Sequence, residues 1–154
     1  MTKLGMAGGR STWLSFFAIM KNSNMTTQDY YSLPPDEDGW RKLPNGNKFK
    51  LGLGCIIGNN VIIGDGVVIG RGNTISHRCI IDNGVVIGDY VTIGYCTMIY
   101  ESAIIGDRVV IGDNVEVGIR CTVGNAVIVC SSATIEDGDK ILHHLSKLAM
   151  NKKI

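Results

Sequence analysis

An aliphatic residue recurs at every sixth position through the middle of this chain. The column runs Ile57, Ile63, Ile69, Ile75, Ile81, Ile87, Ile93, Ile99, Ile105, Ile111, Val117, Val123, Val129, Ile135, fourteen times without a miss. If Ile, Leu and Val fill about a quarter of positions, chance gives such a run on the order of once in 10⁸ or less. Two residues earlier stands a column of mostly small or medium side chains, from Cys55, Val61 and Val67 to Val127 and Ala133. The residue after the aliphatic is Gly nine times, as in Gly58, Gly64, Gly94 and Gly124.

Six is not a helical period, so amphipathic helices are excluded here. In a strand, residues two apart face one side, so small-x-aliphatic buries both named residues. The Gly that follows is expected to let the chain turn without a Cβ penalty. Short strands joined by tight turns stack as a parallel β-solenoid, each coil burying its face on its neighbours. Three hexads per coil make a triangular prism with an 18-residue repeat, and residues 51–136 hold almost five coils.

Composition agrees with an ordered chain. Of 154 residues, 45% are hydrophobic and 19% charged, which excludes disorder throughout. There are 20 Gly but only 3 Pro, so the glycines serve a patterned backbone rather than a linker. With 15 Lys+Arg against 14 Asp+Glu the net charge is +1, which gives no reason to expect nucleic acid or an anionic membrane as partner. Five cysteines without C-x-x-C spacing argue against a disulfide framework or zinc site and for a reducing, cytoplasmic setting. The apolar stretch from Trp13 to Met20 is too short to span a bilayer.

The runs IIGNNVIIGDGVVIG and VVIGDYVTIG resemble the hexapeptide-repeat acyltransferases, over residues 51–136. The resemblance implies a left-handed parallel β-helix, an all-β fold, and a trimer with parallel prism axes. Spacing alone does not set the hand, and the same solenoid serves several unrelated functions.

Residues 1–50 lack the hexad and read as an irregular N-terminal segment. MTTQDYYSLPPDEDGW, from Met25, looks like a natural start, with residues 1–24 an upstream extension or leader. LPPDEDGW and LPNGN read as turns and extended chain, and Trp40 and Leu43 are expected to pack on the open first coil. In the C-terminal part, 137–154, the stretch DKILHHLSKLAM spaces Ile141, Leu142, Leu145 and Leu148 helically. It is expected to be a short helix capping the last coil, or else an arm that reaches a partner.

The residue before each aliphatic points outward. Val68, Val86, Ile104 and Thr122 stack on one face, and Ile62, Ile80 and Met98 on another, which favours a closed homo-oligomer, with a small-molecule ligand at the subunit interfaces.

Chemistry centres on His77, the one His of the solenoid. It stands in ISHRC, at the register where sugar and lipid acyltransferases of the resembling family carry a catalytic His in aliphatic-x-His-acidic-Cys. Arg78 here replaces the acid that tunes that base. By this resemblance His77 would act as general base, and an acceptor hydroxyl or amine would attack acetyl-CoA or another acyl-CoA, with no metal. Asn59 and Tyr95 lie one coil below and above it. Asp82 and Tyr100, stacked 18 apart, replace the favoured Gly and are candidates for the acceptor. Arg108 and Arg120 are candidates for CoA phosphates. The bland reading makes His77 a surface turn residue and the protein a non-enzymatic binding or assembly solenoid. A zinc carbonic anhydrase of this fold needs three solenoid His, and a Thr-ladder ice-binding face is interrupted by Ile56 and Val110, so both are set aside.

Overall fold

The computed structural model describes residues 25–143. Apart from one short helix and a hairpin they form a parallel β-solenoid of about five coils. Three sheets make the faces of a triangular prism. The first face carries Lys48–Leu51, Val67–Ile69, Val86–Ile87, Ile104–Ile105, Thr122–Val123 and Lys140–Ile141. The second carries Ile56–Ile57, Thr74–Ile75, Thr92–Ile93, Val110–Ile111 and Ile128–Val129; the third, Ile62–Ile63, Ile80–Ile81, Met98–Ile99, Glu116–Val117 and Thr134–Ile135. Every strand pairs in parallel with the one 18 residues on, as in Ile57↔Ile75 and Ile81↔Ile99. The aliphatic and small columns fill the prism, and all the aliphatics from Ile57 to Ile135 are buried. Each such Ile contributes about 1.5–3 kcal/mol relative to exposure.

The glycine column has a different cause from the one expected. None of those glycines takes a left-handed φ. A Cβ at Gly64 would lie 2.6 Å from the Asn83 nitrogen, and one at Gly94 would lie 2.5 Å from the Gly112 carbonyl carbon. Gly is there because successive coils touch at the corner. The left-handed turn falls two residues later, and ten non-glycine residues adopt it, Arg78 (φ 62), Tyr90 (φ 59) and Arg108 (φ 58) among them. The paired strands on both sides hold these residues in a conformation that an isolated L-residue disfavours.

The few polar members of the small column have a job. Asn73 is fully buried; its Nδ2 donates to the Gly70 and Gly88 carbonyls at 3.0 and 2.9 Å, and its Oδ1 accepts from the Val91 N–H at 2.6 Å. The Thr97 hydroxyl donates to the Gly112 carbonyl at 2.8 Å, and the Cys79 thiol to that of Gly94 at 3.0 Å. Each reaches a corner carbonyl 15 residues on, which would otherwise be buried without a partner.

The N-terminal end is closed by a helix the sequence reading left irregular. Helix α1, Thr27–Ser32, starts at a capping box formed by Thr26 and Asp29. Tyr30 is buried edge-on against Phe49, with ring centroids 6.0 Å apart. The Thr27 hydroxyl donates to the Ile57 carbonyl at 3.0 Å and accepts from the Ile57 N–H at 2.9 Å. The Tyr31 hydroxyl donates to the Gly52 carbonyl at 2.6 Å and accepts from the Cys55 N–H at 2.8 Å. Side chains thus satisfy the first coil's edge where no strand covers it, while Arg41–Lys42 pairs antiparallel with Lys48–Leu51 on the first face. Arg41 ties the far end of α1 by donating to the Tyr31 and Leu33 carbonyls. Leu43 joins the core as expected, whereas Trp40 stays half-exposed outside the prism, beneath Lys50 Nζ at 4.8 Å from the ring centroid.

At the other end Lys140–Ile141 is a strand, paired Thr122↔Lys140 on the first face. The hexad therefore runs one step past Ile135, where helical spacing was read instead. The rest of the expected C-terminal helix, and the suggested leader 1–24, lie outside the described residues.

Candidate functional site

The corners of the prism follow one local rule. The second residue after each aliphatic tends to be Asp, Asn or Ser, and its side chain accepts the N–H of the residue 18 earlier. Asn83 accepts from Asp65 at 2.8 Å, Asp113 from Tyr95 at 2.8 Å and Ser131 from Asp113 at 2.9 Å. His77 holds the same post. Its Nδ1 accepts the Asn59 N–H at 2.7 Å.

That bond fixes the tautomer. With Nδ1 an acceptor, the neutral ring carries its proton on Nε2, and the exposed end of the imidazole is a donor. A general base working through Nε2 needs the opposite arrangement. Beside it, the Arg78 guanidinium carbon lies over the Tyr95 ring at 6.0 Å from the centroid. Tyr95 is 40% exposed. The expected column Asn59–His77–Tyr95 is therefore real, joined through Asn59 N–H and by the Cys96 N–H donating to the His77 carbonyl at 3.1 Å.

The other candidate residues are dispersed. His77 lies between the second and third faces, while Asp82, Tyr100 and Arg120 lie between the third and first. Asp82 accepts from its neighbour Asn83 N–H at 2.7 Å, one corner away from His77. Tyr100 and Glu136, two coils apart on that corner, both line an open groove of about 370 Å³ with Glu116 and Thr134. Arg108 lies on the remaining corner, 5.8 Å from the Tyr90 centroid. Arg108 and Arg120 do not form one phosphate site. Sequence reasoning missed the Arg78–Tyr95 contact, although their spacing of 17 puts them on adjacent coils of one corner.

Burial pushes the Cys79 thiol up to about 11 and raises that of Cys121, so both are core donors rather than nucleophiles. The N–H of Arg71 holds the Asp89 carboxyl below its ordinary value, helped by the charges of Arg71 and Arg108. Among the described residues no group of three or more His, Cys, Asp and Glu is placed to hold a metal ion, and no helix is long and apolar enough to cross a membrane.

No family model and no curated protein matches the chain. Among solved structures it is similar to a Bacillus cereus protein named provisionally as an acetyltransferase, at 16% identity and TM-score 0.41, over 68% of this chain and 85% of that one. It is also similar to a UDP-N-acetylglucosamine acyltransferase from Bacteroides fragilis, at 22% identity and TM-score 0.37, over 60% of this chain and 52% of that one. The fold rests on the chain's own strand pairing, and neither likeness assigns a reaction. By its hexads and their 18-residue pairing, the described chain is a hexapeptide-repeat β-solenoid.

Proposed function

We propose that the chain is an acyltransferase that moves an acyl group, acetyl first among them, from an acyl-CoA to a hydroxyl or amine of a small, sugar-like acceptor. The observation that carries this reading is the imidazole of His77, standing at a corner position that most other turns fill with Asp, Asn or Ser. In the step, the acceptor oxygen or nitrogen attacks the thioester carbonyl carbon, and His77 takes its proton. The C–S bond breaks, and the proton passes to the departing thiolate. To accept at Nε2 the ring must release Asn59 N–H, which costs about 1 kcal/mol. The protein would work as a homotrimer in the cytosol. Outward Val86 and Ile104, 39% and 48% exposed, support self-association.

A second reading follows from the same bond. With Nδ1 engaged, His77 is one more rung of the corner ladder, and the solenoid is a non-enzymatic binding or assembly protein.

His77→Asn separates the two readings, because Asn already serves as the rung at Asn83 and Asn125. We expect an unchanged melting curve and a fall in acyl-CoA turnover of about 10²-fold or more. Equal turnover in variant and wild type removes His77 from the chemistry. Sedimentation velocity of the same samples checks the oligomer, and a monomer at micromolar concentration refutes the trimer.

A further inference from the structure

We propose that the corner formed by His77, Arg78 and Tyr95 binds a phosphate-type oxyanion, with the His77 Nε2–H and the Arg78 guanidinium as its donors. The site goes beyond the acyl-transfer reading and does not need it. Three observations meet there. The Asn59 N–H on Nδ1 makes the outer end of the His77 ring a donor. Among the described residues Arg78 has no carboxylate within ion-pair distance, whereas Arg71 on another corner is paired with Asp89 at 3.4 Å. The Tyr95 ring lies against the Arg78 guanidinium, which limits its freedom before any ligand arrives.

The chemical class follows from the donors. His77 and Arg78 offer only N–H groups to a ligand, and the guanidinium fork matches tetrahedral oxyanions. The carboxylate on this column is Asp113, one coil above Tyr95, and one of its oxygens already accepts the Tyr95 N–H. The His77 and Arg78 N–H groups need acceptors, and an ammonium group carries none. A phosphoryl group has several, and both donors reach toward solvent from adjacent positions of one exposed turn.

The test is thermal melting of the full chain against pyrophosphate, coenzyme A and pantetheine, with the His77 ring signals followed by NMR. We expect a saturable stabilisation by pyrophosphate and movement of the His77 resonances. Arg78→Gln and His77→Asn should each weaken it about tenfold. His77→Asp, which removes the Nε2–H donor and sets a negative charge beside the site, should abolish it. Arg71→Gln should leave it unchanged. Binding of coenzyme A but not pantetheine assigns the phosphate to an acyl donor, and binding of pyrophosphate alone assigns it to a separate phosphorylated ligand. No saturable shift at about 20 mM of any phosphate probe, or equal shifts in wild type and Arg78→Gln, overturns the proposal. Turnover of the wild type is read independently, so failure here is not failure of the acyl-transfer reading.

Discussion

Two corners of the prism share one backbone and differ in charge. At the corner between the first and second faces, Asp89 accepts the Arg71 N–H at 2.9 Å and pairs with the Arg71 side chain, while Arg108 lies over Tyr90 nearby. Arg71 and Asp89 pair their charges there, while Arg108, like Arg78, stands over a tyrosine ring with no ion pair among the described residues. At the corner between the second and third faces, His77 takes the post that Asp89 holds, and Arg78 has no ion pair among the described residues. The rung bond survives the exchange, because a neutral imidazole nitrogen accepts an N–H as a carboxylate does. The aligned positions differ, Asn59 for Arg71, His77 for Asp89 and Arg78 for Tyr90, and the coil keeps its fold through all three.

If the backbones are equivalent, both corners must fail alike when coil stacking is disturbed, and this is the largest effect expected. Gly94→Ala drives a Cβ to 2.5 Å from the Gly112 carbonyl, and Gly88→Ala drives one to 2.8 Å from the Gly106 carbonyl carbon. Each should cost about 3 kcal/mol by overpacking. Gly138→Ala, with φ +78 and nothing within 4 Å, should cost only about 1 kcal/mol. Chemical denaturation of the three variants checks this. A tolerant Gly94→Ala beside a crippled Gly88→Ala would break the equivalence.

The corners differ next in what lies beneath them. Asn73 makes three hydrogen bonds under the Asp89 corner, to two carbonyls and one N–H. Thr97 makes two under the His77 corner, accepting from the Val115 N–H as well as donating to Gly112. Asn73→Ala should cost about 3 kcal/mol, as it strands three buried groups, and Thr97→Val about 1–2 kcal/mol. Equal losses would mean that water reaches the carbonyls under Asn73 and serves in its place.

The prism was legible in the sequence because its rule is periodic. Each coil repeats the same small-x-aliphatic test of burial, so one wrong residue would have shown. The reading went astray where a segment obeys two patterns or none. Ile141 satisfies both the hexad and a helical spacing with Leu145, and only the pairing Thr122↔Lys140 decides between them. Helix α1 occurs once, and the signal that could have found it was Thr26-x-x-Asp29 ahead of two tyrosines. The candidate site was legible as a column, Asn59–His77–Tyr95, because stacking is arithmetic. Its chemistry was not legible. Which nitrogen of His77 faces a donor depends on the turn geometry, and the six-residue period does not encode that. Asp82, five residues past His77, falls at the next corner of the triangle, so the candidate residues do not gather on one corner.

The smallest effect expected is electrostatic and appears only in acid. The N–H of Arg71 and the charges of Arg71 and Arg108 hold the Asp89 carboxyl below its ordinary value of 3.8. A carboxyl depressed in the folded state stabilises the fold above its unfolded value, and that contribution is lost as the pH falls through the lower, folded value. Among the described residues no carboxylate pairs with Arg78 at the His77 corner. Between about pH 5 and about pH 2, Asp89→Asn should therefore lose stability less steeply than wild type, while Arg78→Gln should follow wild type. Asn keeps the oxygen that accepts the Arg71 N–H, so the variant removes the charge and leaves the rung. Asp29 and Asp36, depressed by N–H groups of the N-terminal segment, keep part of the acid slope in every variant. The measurement is the denaturation midpoint against pH for the three proteins. Parallel curves for Asp89→Asn and wild type would mean that exposure screens the Asp89 corner completely, leaving the two corners electrostatically alike.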